Sequence, residues 1–286
     1  MSARRFKAAC VQVNAGNDMD ANIVVFRDQV LRAREAGADF ITTPEVVAMI
    51  ENGREATRAK ARPEDSHPAL AAFRDLARET EAWLLAGSLT IRQDDGPLFN
   101  RSFLLAPDGE IVARYDKIHM FDVELPNGQV LQESAAYRPG GEAVIAEMPW
   151  GLLGMTICYD MRFPEYYRNL ARAGAEMLTV PSAFTKVTGQ AHWHVLLRAR
   201  AIETGSFVLA PAQTGRHVGK RESYGHALIV DPWGEILAEA GEDVGFIVAD
   251  IDLDRVDDVR RRIPSLRHDR PYEGPRRYGR LGAAAE

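Results

Sequence analysis

The sequence predicts an α/β fold, a layered sandwich of mixed β-sheets. Three observations carry that expectation. Short apolar strands alternate with amphipathic helices along the whole chain. Turn signals also join strands directly into hairpins, which excludes a purely parallel sheet. No linker, repeat or break in composition divides the 286 residues, so they read as one domain, 1–286, with a tail after Pro264.

The elements follow in order. Phe6 to Val13 is a strand, and Asp18 to Ala36 an amphipathic helix with Ile23, Phe26, Val30 and Ala33 on one face and Gly37 as its stop. Phe40 to Thr43 is the next strand. Leu70, Phe73 and Ala77 mark a second helix, which feeds a strand from Trp83 to Leu89. Phe103 to Leu105 and Ile111 to Tyr115 form a hairpin around Pro107-Asp108-Gly109. Leu152 to Cys158 is a strand, and Pro164 suits the first position of a helix ending at Gly174. Met177 to Val180 is a strand, Ala191 to Thr204 a helix closed by Gly205, and Phe207 to Ala210 a further strand. A second hairpin spans Ala227 to Leu237 around Asp231-Pro232-Trp233-Gly234, before a last strand, Phe246 to Ile251, and a polar helix, Leu253 to Arg262.

Composition narrows the function classes. With 46% hydrophobic and 27% charged residues the chain is neither disordered nor fibrous. Its net charge of −6 argues against non-specific binding to nucleic acid or to a membrane surface. The arginines from Arg260 to Arg280 interleave with Asp257, Asp258, Asp269 and Glu273, so a solvated surface or dimer-contact tail is expected there. Two cysteines give no disulfide framework, and no apolar run reaches the roughly 18 residues of a membrane span. A cytoplasmic protein is expected.

Cys158 is one of those two thiols, and it sits where a strand gives way to the polar turn Tyr159-Asp160-Met161-Arg162 ahead of a helix. It is either a buried structural cysteine or a nucleophile whose pKa a helix N-terminus lowers, and the tight polar turn favours the nucleophile. The Tyr159 N–H would then donate to an oxyanion. Cys10, inside a strand, keeps the structural reading. A nucleophilic thiol needs a base. His192 and His194 are two apart on a helix and point to nearly opposite sides, which weakens both a paired-base and a metal reading. His119 and His226 stay possible as lone histidines. Glu45, just past a buried strand, and Lys117, just after another, are solvated charges taken singly. Together with Cys158 they occupy C-terminal strand ends, where α/β folds build sites.

On these residues the sequence resembles the nitrilase superfamily of carbon–nitrogen hydrolases over about residues 5 to 275. The family's catalytic glutamate matches Glu45 in Thr-Pro-Glu, its lysine Lys117 in Tyr-Asp-Lys-Ile-His, and its nucleophile Cys158 in Ile-Cys-Tyr-Asp-Met-Arg-Phe-Pro-Glu. A second glutamate matches Glu133 in Leu-Gln-Glu-Ser. The resemblance implies a four-layer αββα sandwich that commonly dimerises, a small-molecule amide substrate, release of ammonia through a cysteine thioester, and no metal or organic cofactor. Glu45 as general base suits a carboxylate whose pKa burial raises.

Pro181-Ser-Ala-Phe184-Thr185 and the run from Ala210 to His226 resemble the branch containing omega-amidase and deaminated-glutathione amidase, with His194 departing from its usual acidic residue. An anionic amide would be held by Arg162, whose alternative is a salt bridge to Glu165 or Asp160, and by the basic loop carrying Arg216 and Arg221. Tyr159, Phe184 and Thr185 complete the expected substrate contacts, though Phe184 and Trp193 also read as packing residues. A catalytically idle binding module of the same fold is the non-enzyme alternative.

Overall fold

The computed structural model describes residues 4–276 apart from 94, 95, 127 and 129, and Lys220 without its side chain. Of the expected tail, residues 277–286, Arg277 and Arg280 among them, lie outside the described residues.

Strand β1 (Arg5–Val13) leads into helix α1 (Met19–Glu35), whose Asp18 cap accepts from the Asp20 and Ala21 N–H groups at 3.0 and 3.2 Å. Then come β2 (Phe40–Thr42), α2 (Arg54–Lys60), α3 (Pro68–Thr80), β3 (Trp83–Arg92), β4 (Leu98–Leu105) and β5 (Ile111–Asp116). A small hairpin, β6 (Asp122–Glu124) and β7 (Val130–Gln132), precedes β8 (Val144–Glu147) and β9 (Leu152–Met155). The second half runs α4 (Pro164–Arg172), β10 (Met177–Thr179), α5 (Lys186–Thr204), β11 (Phe207–Ala210) and β12 (Ala212–Arg216). It closes with β13 (Glu222–Tyr224), β14 (Leu228–Val230), β15 (Ile236–Glu239), β16 (Gly245–Asp252) and α6 (Asp254–Arg262).

Two sheets stack face to face. The first has the order β13-β12-β1-β2-β3-β4-β5, with β16 antiparallel along β1; the second has the order β15-β14-β11-β10-β9-β8. Both are mixed, parallel at β1-β2-β3 and at β9-β10-β11, antiparallel towards the edges. Alternation along the strands sets the layers. Ala8 and Cys10 of β1 join the core between the sheets, while Ala9, Val11 and Val13 face α1 and α3. The outer core is anchored by Phe26 of α1 stacked on Phe73 of α3, ring centroids 4.4 Å apart. On the far side α4 and α5 lay Tyr167, Leu170, Trp193 and Leu197 on the second sheet. This is the expected four-layer αββα sandwich with mixed sheets.

Some elements depart from the sequence reading. The strand before Cys158 ends at Met155, and Cys158 instead begins a 3-10 turn. Helix α5 starts five residues early, at Lys186, since its first turns lie against β13 of the first sheet, Gly189 beside Tyr224, with little apolar periodicity. Helix α2 buries only Thr57, so it leaves no hydrophobic stripe to read.

Candidate active site

Four strand ends deliver the functional side chains to one place. Glu45 follows β2 on a turn pinned against β3: Thr43 N donates to Leu85 O at 3.0 Å, and Val46 N to Ser88 Oγ at 2.8 Å. The turn sits so close to Gly87 that a Cβ there would lie 1.7 Å from Thr43 O, so only glycine fits. Lys117 directly follows β5, its N–H bonded to Asn100 O at 3.0 Å and its carbonyl to Gly140 N at 2.8 Å. Glu133 opens a 3-10 turn after β7, where Phe121 N donates to Glu133 Oε2 at 2.7 Å.

Cys158 stands at the head of the turn Cys158–Arg162 with φ +46°, a left-handed conformation that costs a non-glycine residue free energy. Its N–H donates to Pro181 O at 3.0 Å. Buried Asp160 holds the turn by accepting from Ile157 N at 2.8 Å, Tyr115 Oη at 2.7 Å and His119 N at 3.0 Å. As second residue of a 3-10 turn, Tyr159 has no intrahelical acceptor for its N–H.

Lys117 Nζ is the hub. It donates to Glu45 Oε1 at 2.8 Å and to Glu133 Oε2 and Oε1 at 2.8 and 3.0 Å. Asn100 of β4, which the sequence reading missed, bridges the same carboxylates, its Nδ2 2.9 Å from Glu45 Oε1 and 3.1 Å from Glu133 Oε1. The second Glu45 oxygen accepts from Ala183 N at 2.8 Å.

The electrostatics reverse two expectations. Burial alone would raise the Glu45 carboxyl, but the adjacent Lys117 ammonium outweighs it and holds Glu45 below the usual carboxylate range. The Cys158 thiol is pushed up, not down, first by burial and then by the Glu45 charge. Burial would lower Lys117, yet Glu133, Glu45 and Cys158 together raise it well above its ordinary value. The resting site therefore holds a thiol, an ammonium and carboxylate, with no thiolate. Cys10 keeps its structural reading: buried against Leu228 and Thr42, it is pushed up to about 12 by burial.

These groups line a cavity of about 300 Å³. Of the expected substrate contacts, Tyr159, Phe184, Thr185 and Arg221 line it too. Arg221 donates through Nη2 to Ala183 O at 3.0 Å, and its Nε is buried with no partner among the described residues. Arg162 and Arg216 are not among the lining residues. Arg162 salt-bridges neither Glu165 nor Asp160; its guanidinium lies over the rings of Tyr159 and Phe184, and Nη2 meets His192 Nδ1 at 3.2 Å. Arg216 is exposed at the end of β12, directed out of the site by the pairing of β12 with β13. Arg54, on α2 at the cavity rim, was missed because that helix has no periodic signal.

The histidines fall away from the chemistry. His119 is tied to Asp160 and stacked on Phe163 at 3.5 Å, and His192 and His194 do point apart, to Arg162 and Glu239. Trp193 packs in the core with its Nε1–H on His226 O at 2.7 Å, while Phe184 both packs against it and lines the cavity. In the C-terminal part Arg261 and Arg262 pair with Asp258, while Asp269 pairs with Arg168 and Arg172 of α4.

An αββα sandwich with cysteine, glutamate and lysine converging on strand ends is the architecture of carbon–nitrogen hydrolases. The model of that family, described as carbon-nitrogen hydrolase, matches residues 7–261, and the chain belongs to it. The chain is thus a hydrolase of carbon–nitrogen bonds other than peptide bonds, with a small amide as substrate. It is 40% identical over 267 residues to the deaminated glutathione amidase of Synechocystis, covering 92% of this chain and 97% of that protein. The NitFhit protein of Caenorhabditis elegans superposes with a TM-score of 0.87 at 37% identity, over 94% of this chain and 66% of that one. A glutamate-to-glutamine mutant of the amidase of Nesterenkonia sp. AN1, carrying the acetamide moiety of fluoroacetamide on its active-site cysteine, superposes with a TM-score of 0.80 at 25% identity, over 94% and 95% of the two chains. No helix of the described residues is long and apolar enough to cross a membrane.

Proposed function

We propose that this chain is an amidase in which Cys158 is the nucleophile, Glu45 the general base, Lys117 the oxyanion's cation and Glu133 the residue that orients Lys117. The observation that carries the reading is Lys117 Nζ, shared by both glutamates in the cavity that holds the Cys158 thiol.

The resting protonation states set the order of events. The thiol keeps its proton until an amide carbonyl is in place, because Glu45 is the weaker base before then. As sulfur attacks, the proton passes to Glu45 and negative charge grows on the carbonyl oxygen. Lys117, no longer balanced by the Glu45 charge, and the Tyr159 N–H stabilise that oxygen. Glu45 then gives its proton to the leaving nitrogen, the amine departs, ammonia from a primary amide or cysteinylglycine from deaminated glutathione, and a thioester remains. In the second half Glu45 takes a proton from water, the resulting hydroxide attacks the thioester, and the acid is released with the thiol restored.

We propose deaminated glutathione as the substrate, the activity named for the Synechocystis relative. Its support in this chain is the unpartnered Arg221 Nε for the 2-oxo acid end and Arg54 at the rim for a distal carboxylate. The chain would act as a single domain and homodimer in the cytoplasm. Release of cysteinylglycine and 2-oxoglutarate from deaminated glutathione, and of ammonia from 2-oxoglutaramate, succinamate, an aliphatic nitrile and an N-carbamoyl amino acid, tests the assignment. A higher kcat/KM on 2-oxoglutaramate would make omega-amidase the activity, and no turnover on any of them would leave a binding module.

A further inference from the structure

Three ligand-type side chains from three elements meet away from the catalytic cavity. His194 comes from α5, His226 from the loop before β14, and Glu239 from the end of β15. His194 Nε2 and His226 Nδ1 each lie 2.9 Å from the same oxygen, Glu239 Oε1, and the three ligand atoms are all within 4.8 Å of one another. We propose that this triad is a site for one divalent transition-metal ion of the Zn²⁺, Co²⁺ or Ni²⁺ kind, with water completing the coordination.

The spacing suits an ion. Tetrahedral ligands on bonds of about 2.05 Å are separated by about 3.3 Å, so each imidazole nitrogen needs to draw back from the carboxylate oxygen by only about 0.4 Å to admit an ion. Two imidazoles with one carboxylate form a donor set for borderline metals and a poor one for Ca²⁺ or Mg²⁺, which ask for oxygen.

The scaffold fixes the ligands before any ion arrives. His226 and Glu239 lie diagonally across the β14–β15 hairpin, Glu239 paired with Leu228, and the two stretches are joined there by Ala240 N to Ala227 O at 2.9 Å and by His226 N to Gly241 O at 3.1 Å. Helix α5 is tied to the same point, since Trp193, next to His194, donates to His226 O at 2.7 Å. His226 is held at φ +57°, a conformation disfavoured for a non-glycine residue that aims its ring at Glu239. Tyr224 stacks on His226 at 4.3 Å and meets His194 edge-on at 6.0 Å, giving the triad an aromatic wall.

Charge and access agree with the geometry. The Glu239 carboxylate faces both imidazoles and would bring the one negative charge to the ion. The three side chains are 29, 22 and 37% exposed, so an ion from solution can reach them. On binding, each facing nitrogen gives its lone pair to the metal. Its proton moves to the outer ring nitrogen, or to water from a doubly protonated ring, and nothing is oxidised or reduced.

The test uses the full chain with Cys158→Ala, which removes the cavity thiol as a competing ligand. Zn²⁺ titration calorimetry is expected to give one ion per chain, and Co²⁺ a visible d–d absorption band. His194→Ala and Glu239→Gln are each expected to weaken Zn²⁺ binding by about tenfold or more. His226→Asn, which keeps a residue tolerant of positive φ, guards against a folding defect and is expected to weaken binding likewise. No stoichiometric uptake of Zn²⁺, or uptake equally tight in all three variants, would overturn the proposal.

Discussion

Replacing Asn100 by leucine isolates what one uncharged side chain does for two carboxylates. The amide Nδ2 sits 2.9 Å from Glu45 Oε1 and 3.1 Å from Glu133 Oε1, while its Oδ1 is buried without a partner among the described residues. Leucine keeps the volume and removes both hydrogen bonds. A hydrogen bond to a charged group contributes about 1.5–3 kcal/mol, and Lys117 still holds both glutamates, so a loss near one such bond is expected. That corresponds to a fall in kcat of about tenfold to a hundredfold, with KM little changed because Asn100 supports the base more than the substrate. The pH profile supplies an independent sign. Losing a donor to the charged form of Glu45 moves its pKa upward, so the acid limb of kcat should shift to higher pH. Release of 2-oxoglutarate from deaminated glutathione, read in quenched samples by NADH-linked glutamate dehydrogenase with added ammonium, gives both quantities. A leucine variant with wild-type kcat and an unmoved acid limb would refute the role argued for Asn100.

Other outcomes test separate links. Cys158→Ala should abolish turnover and Cys10→Ala keep most of it, with mass spectrometry placing the trapped acyl adduct on Cys158. Glu45→Gln should lower kcat by about a hundredfold or more, and wild-type-like turnover would move the base to His119. In the unaltered enzyme Glu45 sits below the usual carboxylate range, so activity should persist as pH falls through that range and fail only beneath it. Arg221→Ala and Arg54→Ala should raise KM for the deaminated-glutathione amide, and exposed Arg216→Ala should leave it unchanged; an equal effect at Arg216 would count against the cavity assignment. Phe73→Ala should cost about 3–5 kcal/mol in denaturant unfolding, since it empties the contact between α1 and α3.

The layers and the charged and thiol groups of the cavity were legible for the same reason: each is announced by a short apolar strand and the residue that follows it. Glu45, Lys117 and Cys158 could be picked out because strand ends are where side chains leave the sheet together. Asn100 was hidden because it lies inside a strand, where an asparagine reads as an irregularity in the alternation. Arg216 and Arg221 look equivalent in a basic loop, yet a β-hairpin turns one outward and the other into the cavity. The pKa directions were missed for a related reason. A motif gives neighbours in sequence, and the sign of the Glu45 shift is decided by Lys117, seventy-two positions away.

The protonated state of the buried Cys158 has a bearing on how the protein survives in a chemically aggressive milieu. Peroxides and alkylating agents consume thiolates, and a thiol whose proton is held tightly offers them little. In the proposed reaction the same sulfur becomes reactive when a carbonyl fills the cavity and gives the displaced charge somewhere to go. Reactivity is thereby made conditional on the reactant, so the enzyme is spared from scavengers by the arrangement that lets it act on amides.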